Sequence, residues 1–116
     1  VHSMSHAAGA NQNLRLHHGT LNGVILPSIL RFNMNHVGDK YSRISRAMGK
    51  DESTDLANEI EKLNEKIGLP SGLAEMGITE DMIPGLVEHS MTDPSNMTTP
   101  RLPSQEEWEK LFLEAM

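Results

Sequence analysis

The chain has 116 residues, enough for one small domain with a modest core, and no cysteine, which excludes disulfides and suits a cytoplasmic protein. Its formal net charge is −6, and its basic residues are too sparse and too poor in neighbouring aromatics to form a nucleic-acid stripe. No apolar run approaches a membrane span and no cationic-then-apolar leader is present, so neither a membrane nor a nucleic acid is an expected partner.

Taken in chain order, the pattern is helical throughout. Val1 to Gly9 reads as a short helix and Ala10–Leu16 as a polar loop. From Gly19 to Asn33 the sequence is apolar nearly all round, which predicts a buried helix, with a kink at Pro27. Asp39–Met48 is amphipathic and closed by Gly49. In Thr54–Ile67 the apolar residues Leu56, Ile60, Leu63 and Ile67 recur at helical spacing before Gly68 and Pro70. Thr79 is positioned to cap a helix running to Met91, and Thr92–Pro103 reads as a loop. Ser104 and Glu107 spell a capping box for a last helix. Alternating strand patterns are absent, so the expected class is all-α, a helical bundle. With one Trp, one Tyr and two Phe against eight Met, the core is expected to be aliphatic and Met-rich.

Charge is divided unevenly. Residues 1–50 hold six of the 10 Lys/Arg but only one of the 16 acids, Asp39. The acidic second half reads as solvated helix faces. In the first half lie five of the six histidines, four of them at positions 2, 6, 17 and 18. Histidine is the commonest nitrogen ligand of transition metals, and His2 and His6 stand i, i+4, on one face of a helix. Spacing alone leaves two readings open: a His2–His6 ligand pair, as on zinc-binding helices, or a partly buried histidine near a terminus. His17 suits a loop or helix-entry role, while His36 and His89 read as surface residues. No carboxylate stands beside this cluster in sequence, although catalytic iron and zinc sites usually include one, so the missing donor is expected from elsewhere.

The stretch His2-Ser3-Met4-Ser5-His6, followed after a polar insert by His18-Gly19-Thr20-Leu21-Asn22-Gly23-Val24-Ile25-Leu26-Pro27, resembles the C-terminal metal-binding domain of the iron-containing (group III) alcohol dehydrogenases. Arg31-Phe32-Asn33, Tyr41–Gly49, Ile67–Pro70 with Leu73 and Gly77-Ile78, and the late Asn96, Pro100 and Arg101 also fit that family. The resemblance covers the whole chain. It implies that His2 and His18 are metal ligands and that His6 sits beside the metal, near nicotinamide and substrate, as a catalytic and cofactor-contacting residue.

By the same resemblance the metal is ferrous iron, with zinc as the alternative, and the cosubstrate is NAD or NADP. The reaction is hydride transfer between alcohols and aldehydes or ketones. The family's other two ligands, an Asp and a His on an earlier helix, are absent from these residues, as is its Gly-rich nucleotide-binding domain. The chain starts at Val1 directly on a motif, and it is expected to be the C-terminal helical domain of a longer two-domain enzyme, inactive alone and partnered by its own N-terminal nucleotide-binding domain. A homodimer is compatible with the resemblance. Two departures stand out: Ala7 and Ala8 replace the family's frequent Pro and Leu, which is expected to loosen the segment, and the insert before His18 is about two residues longer than in some relatives. The alternatives from other classes are a stand-alone helical interaction module and a zinc-dependent polyol dehydrogenase relative.

Overall fold

The computed structural model describes residues 1–116 and contains helices and turns but no strand. Six α-helices run in order: α1 His2–Gly9, α2 His18–Asn33, α3 Lys40–Ala47, α4 Leu56–Lys66, α5 Ile83–Thr92 and α6 Gln105–Glu114. Short 3-10 turns follow α2 (Met34–His36), precede α5 (Glu80–Met82) and follow it (Pro94–Thr98). The domain measures 41 × 30 × 19 Å, about two helix diameters in its thin direction.

Local chemistry accounts for most boundaries. The expected capping box is present: Ser104 Oγ accepts from Glu107 N–H at 3.3 Å, and Ser104 N–H donates to Glu107 Oε2 at 2.9 Å. α4 begins at Leu56, two residues later than expected, because Asp55 caps it, accepting from Asn58 N–H at 3.2 Å. The helix expected from Thr79 to Met91 is divided. Pro84 has no N–H to give to the carbonyl of Glu80, so the α-helical ladder starts only at Ile83, and the Thr79 side chain caps nothing. Within the expected Thr92–Pro103 loop, Asp93 caps the Pro94–Thr98 turn by accepting from Ser95 N–H at 2.8 Å.

The core differs from the composition-based expectation. Of the eight methionines only Met4 is fully buried, whereas Met97 is 90% exposed and Met34, Met48 and Met91 are exposed too. The centre is aliphatic around Trp108 and Phe112, joined by Leu21, Ile25, Leu73, Ile78 and Leu111. Two large rings on α6 thus replace the flexible thioethers as space-fillers, because a single aromatic buries more area than a methionine at a lower cost in rotamer freedom. α1 lies against this core between α2 and α5, with Met4, Ala7 and Ala8 inside it. The two alanines leave α1 unbroken to Gly9. Leu14 and Leu16, in the otherwise polar loop after α1, also pack onto the core.

α2 is the central element and half of its 16 residues are buried. Pro27 lies inside it yet the helix continues through it. Proline cannot donate to the carbonyl four residues back, which here is that of Gly23. Asn64 of α4 supplies the missing donor, its Nδ2 lying 2.7 Å from that oxygen. Gly23 also lets α4's trailing loop come close, since a Cβ there would meet Leu69 at 2.6 Å. Farther along α2, Arg31 reaches both Glu61 of α4 at 2.6 Å and Glu114 of α6 at 3.2 Å. The helix expected to be kinked is therefore held by its neighbours.

Asn64→Ala should destabilise the domain by about 1–3 kcal/mol by leaving that carbonyl unpaired. Adding Pro27→Ala restores an internal donor, so the double variant should be less destabilised than the sum of the single changes, measured by urea unfolding. Strict additivity would show that Asn64 does not compensate for the proline.

Glu59 on α4 meets Lys50 at 2.6 Å and Lys62 at 2.8 Å. Hydrogen bonds from Lys50 and then Lys62 outweigh its partial desolvation and hold its carboxyl at about 2. A depressed carboxyl adds stability above its ordinary range that is lost as pH falls through that range towards 2. Glu59→Gln should flatten the acid limb of the stability curve between about pH 4 and 2; an unchanged limb would show that the two lysines contribute nothing there.

Candidate metal centre

The first two turns of α1 carry His2 and His6 on one face, as their i, i+4 spacing requires. α2 opens one residue earlier than the apolar pattern suggested, at His18, because His17 caps it: its Nδ1 accepts from Thr20 N–H at 3.4 Å. His17 thus has the helix-entry role expected of it, and a side chain at Gly19 would crowd its ring at 3.1 Å. His36 and His89 are exposed, away from the cluster.

The remaining three imidazoles come together. Ring centres are 5.2 Å apart for His2–His18, 5.2 Å for His6–His18 and 5.6 Å for His2–His6. His6 and His18 stack at an interplanar angle of 19°, while His2 stands edge-on to both. All three are exposed, on a floor of buried α1 residues. With metal–nitrogen bonds of about 2.0–2.1 Å, two imidazoles on one tetrahedral ion have ring centres about 5 Å apart, so the His2–His18 separation fits a shared cation.

Ring separation does not distinguish the three, but their hydrogen bonds do. His2 has none. His18 Nδ1 lies 3.3 Å from Ser5 Oγ, which gives its own hydrogen to the His2 carbonyl at 3.0 Å. Asn22 Nδ2, which can only donate, lies 3.0 Å from His18 Nε2. Ser5 and Asn22 together therefore place the hydrogen on His18 Nδ1 and the lone pair on Nε2. His6 Nδ1 is engaged differently, 2.9 Å from Asp93 Oδ2. Burial of Asp93 pushes its carboxyl up, but bonds from Ser95 and His6 prevail and hold it at about 2, so it is ionised at neutral pH. The chain gathers no set of three or more His, Cys, Asp or Glu side chains arranged to hold a metal by themselves.

The late segment registers α1 against α5. Asn96 Oδ1 accepts from Ser3 Oγ at 2.6 Å, and its Nδ2 donates to the carbonyl of Ser90 at 2.7 Å and of Met91 at 3.3 Å. Arg101 lies 3.8 Å above the Phe32 ring and pairs with Glu107 at 2.8 Å. These residues hold the scaffold.

Residues 1–116 match the family model described as Fe-containing alcohol dehydrogenase family, C-terminal. The chain belongs to that family. It is 35% identical to 4-hydroxybutyrate dehydrogenase of Cupriavidus necator, over 100% of this chain and 32% of that protein. To lactaldehyde reductase of Escherichia coli (strain K12) it is 32% identical, over 97% of this chain and 31% of that protein. Among solved structures, a 1,3-propanediol oxidoreductase superposes with a TM-score of 0.91 at 26% identity, covering 99% of this chain and 32% of that one. The iron-containing alcohol dehydrogenase from Thermococcus thioreducens gives a TM-score of 0.83 at 31% identity, covering 98% and 30% respectively. The chain thus spans about a third of these relatives, and the all-α class read from its sequence is that of the family's C-terminal domain. No helix is long and apolar enough to cross a membrane.

Three residues in contact with the histidines carried no role in the sequence reading. Ser5 lies inside the motif but looks like helix filler. Asn22 is one turn after His18, a signal that an i, i+4 search from that histidine would find. Asp93 lies 87 residues from His6, and only its position before Pro94, at a helix end, marks it.

Asn96→Ala should remove the bonds to Ser3, Ser90 and Met91. The expected result is about 1–3 kcal/mol of destabilisation and faster amide exchange over residues 3–6 than over α6. Equal protection in both segments would show that Asn96 does not register α1.

Proposed function

We propose that this chain is the metal-binding C-terminal part of an NAD(P)-dependent, metal-dependent alcohol dehydrogenase that interconverts alcohols and aldehydes or ketones. The observation that carries the reading is the convergence of His2, His6 and His18 within a chain of this family. His2 and His18 are the ligands: the His2 ring has no competing partner, and the His18 lone pair at Nε2 passes to the ion when Asn22 Nδ2, which donates to it at 3.0 Å, turns away. His6 moves a proton to or from the substrate oxygen and lies near the nicotinamide. Two further donors, one of them a carboxylate, come from outside these residues, as does the nucleotide site.

Iron, or zinc in its place, would be held by His2 and His18 and would supply Lewis acidity that makes the alcohol O–H more acidic, so that hydride can leave the carbinol carbon for the nicotinamide. The chain's own contribution is orientation. Ser5 sets the tautomer of His18, the stacked His6 stands beside it, and α1 holds both of its imidazoles on one face. The remainder of the longer chain packs against the cleft beside His2. Val1, Phe32 and Trp108 line that cleft, and Asn33 Oδ1 and Trp108 Nε1 are buried there without partners.

In the complete enzyme, His18→Ala should abolish tight metal binding, read by elemental analysis after dialysis, and with it turnover. Retention of stoichiometric iron or zinc would discredit the ligand assignment. His6→Ala should keep the metal and lower kcat about 10²-fold or more. Loss of the metal instead would make His2 and His6 the ligand pair.

A further inference from the structure

The carboxylate of Asp93 is the one acidic group that touches the histidine cluster. Its two oxygens have separate duties. Oδ1 accepts from the backbone N–H of Ser95 at 2.8 Å, and Oδ2 faces Nδ1 of His6 at 2.9 Å. An ionised carboxylate can only accept, so Nδ1 carries the hydrogen of that bond. In the neutral ring the lone pair is then on Nε2.

The carboxylate is held more firmly than its partner, being 8% exposed against 42% for His6. Pro94 after it keeps the Asp93 backbone extended, with ψ at 131°. Asn96 staples the same turn to Ser3 and to the carbonyls of Ser90 and Met91. Asp93 is thus fixed to the element that carries His6, while the half-exposed imidazole has no other hydrogen-bond partner.

We propose that Asp93 is a positioning residue for His6: it fixes the ring's tautomer and rotation so that Nε2, not Nδ1, faces the reacting atoms. This rests on the reading that His6 moves the substrate proton. A carboxylate that orients a histidine in this way commonly matters by 10–100-fold or more, because the wrong tautomer presents a hydrogen where a lone pair is needed.

The discriminating change is Asp93→Asn in the complete enzyme. Asparagine is an equally good cap for the Ser95 N–H, so the turn is kept, but its amide can turn an N–H towards His6 and reverse the tautomer. The expected result is a fall in kcat of about 10–100-fold with KM and metal content unchanged. On the His6→Ala background the same change should have no further effect. In 15N spectra of the metal-free protein, the His6 ring hydrogen should sit on Nδ1 in the parent and on Nε2 in Asp93→Asn.

If His6→Ala slows turnover but Asp93→Asn does not, Asp93 does not position the ring. Loss of metal in Asp93→Asn, or additive effects of the two changes, would also overturn the proposal. If His6→Ala itself leaves turnover unchanged, the underlying proton-transfer role fails, and the inference with it.

Discussion

α1 is eight residues long, too short to hold a helix alone in water, so the geometry of two of the three clustered imidazoles depends on how that helix is seated. The seat is made of small residues. Ser3, Met4, Ser5, Ala7 and Ala8 are all buried, and four of the five are serine or alanine, which lets α1 lie close to α2 and α5. A bulkier sequence would lift the helix and move His2 and His6 away from His18. The burial of one face is what gives the opposite face a defined position.

Polar contacts add register to that packing. Buried polar groups on α1 face partners on other elements: the Ser3 hydroxyl with Asn96, the Ser5 hydroxyl with His18, and the Ser3 carbonyl, which accepts from Ser90 Oγ at 3.3 Å. Leaving any of these groups unpaired inside the domain would be costly, so each contact penalises a rotation or slide of α1. The same economy holds α2, where a proline deprives one carbonyl and Asn64 of α4 restores its bond. The two helices that carry the histidines are therefore each fixed by a side chain from a distant stretch of chain.

Much of this was legible in the residues. The all-α class followed from the spacing of apolar positions, and the capping box at Ser104 marked the start of α6 correctly, because both signals are local. The histidine cluster was legible too, through motif and spacing. The core was less so: methionine count suggested soft filling, yet Trp108 and Phe112 fill the centre while Met97 stands in solvent. Composition counts residues without saying which face of a helix they occupy. The stripe Leu56, Ile60, Leu63, Ile67 shows the same limit. Its first member is buried and its last is 61% exposed, since α4 is covered by α2 only along part of its length.

The sequence by itself determined the all-α class, the capping box that opens α6, the family and which imidazoles could meet, because each depends on neighbours within one or two turns or on a contiguous motif. Only the tertiary structure decided which hydrogen bonds those rings make. Asp93 reaches His6 across 87 positions of chain, and that approach arises from the packing of α5 on α1. No local periodicity encodes a contact between two side chains whose helices are brought together by the burial of their opposite faces.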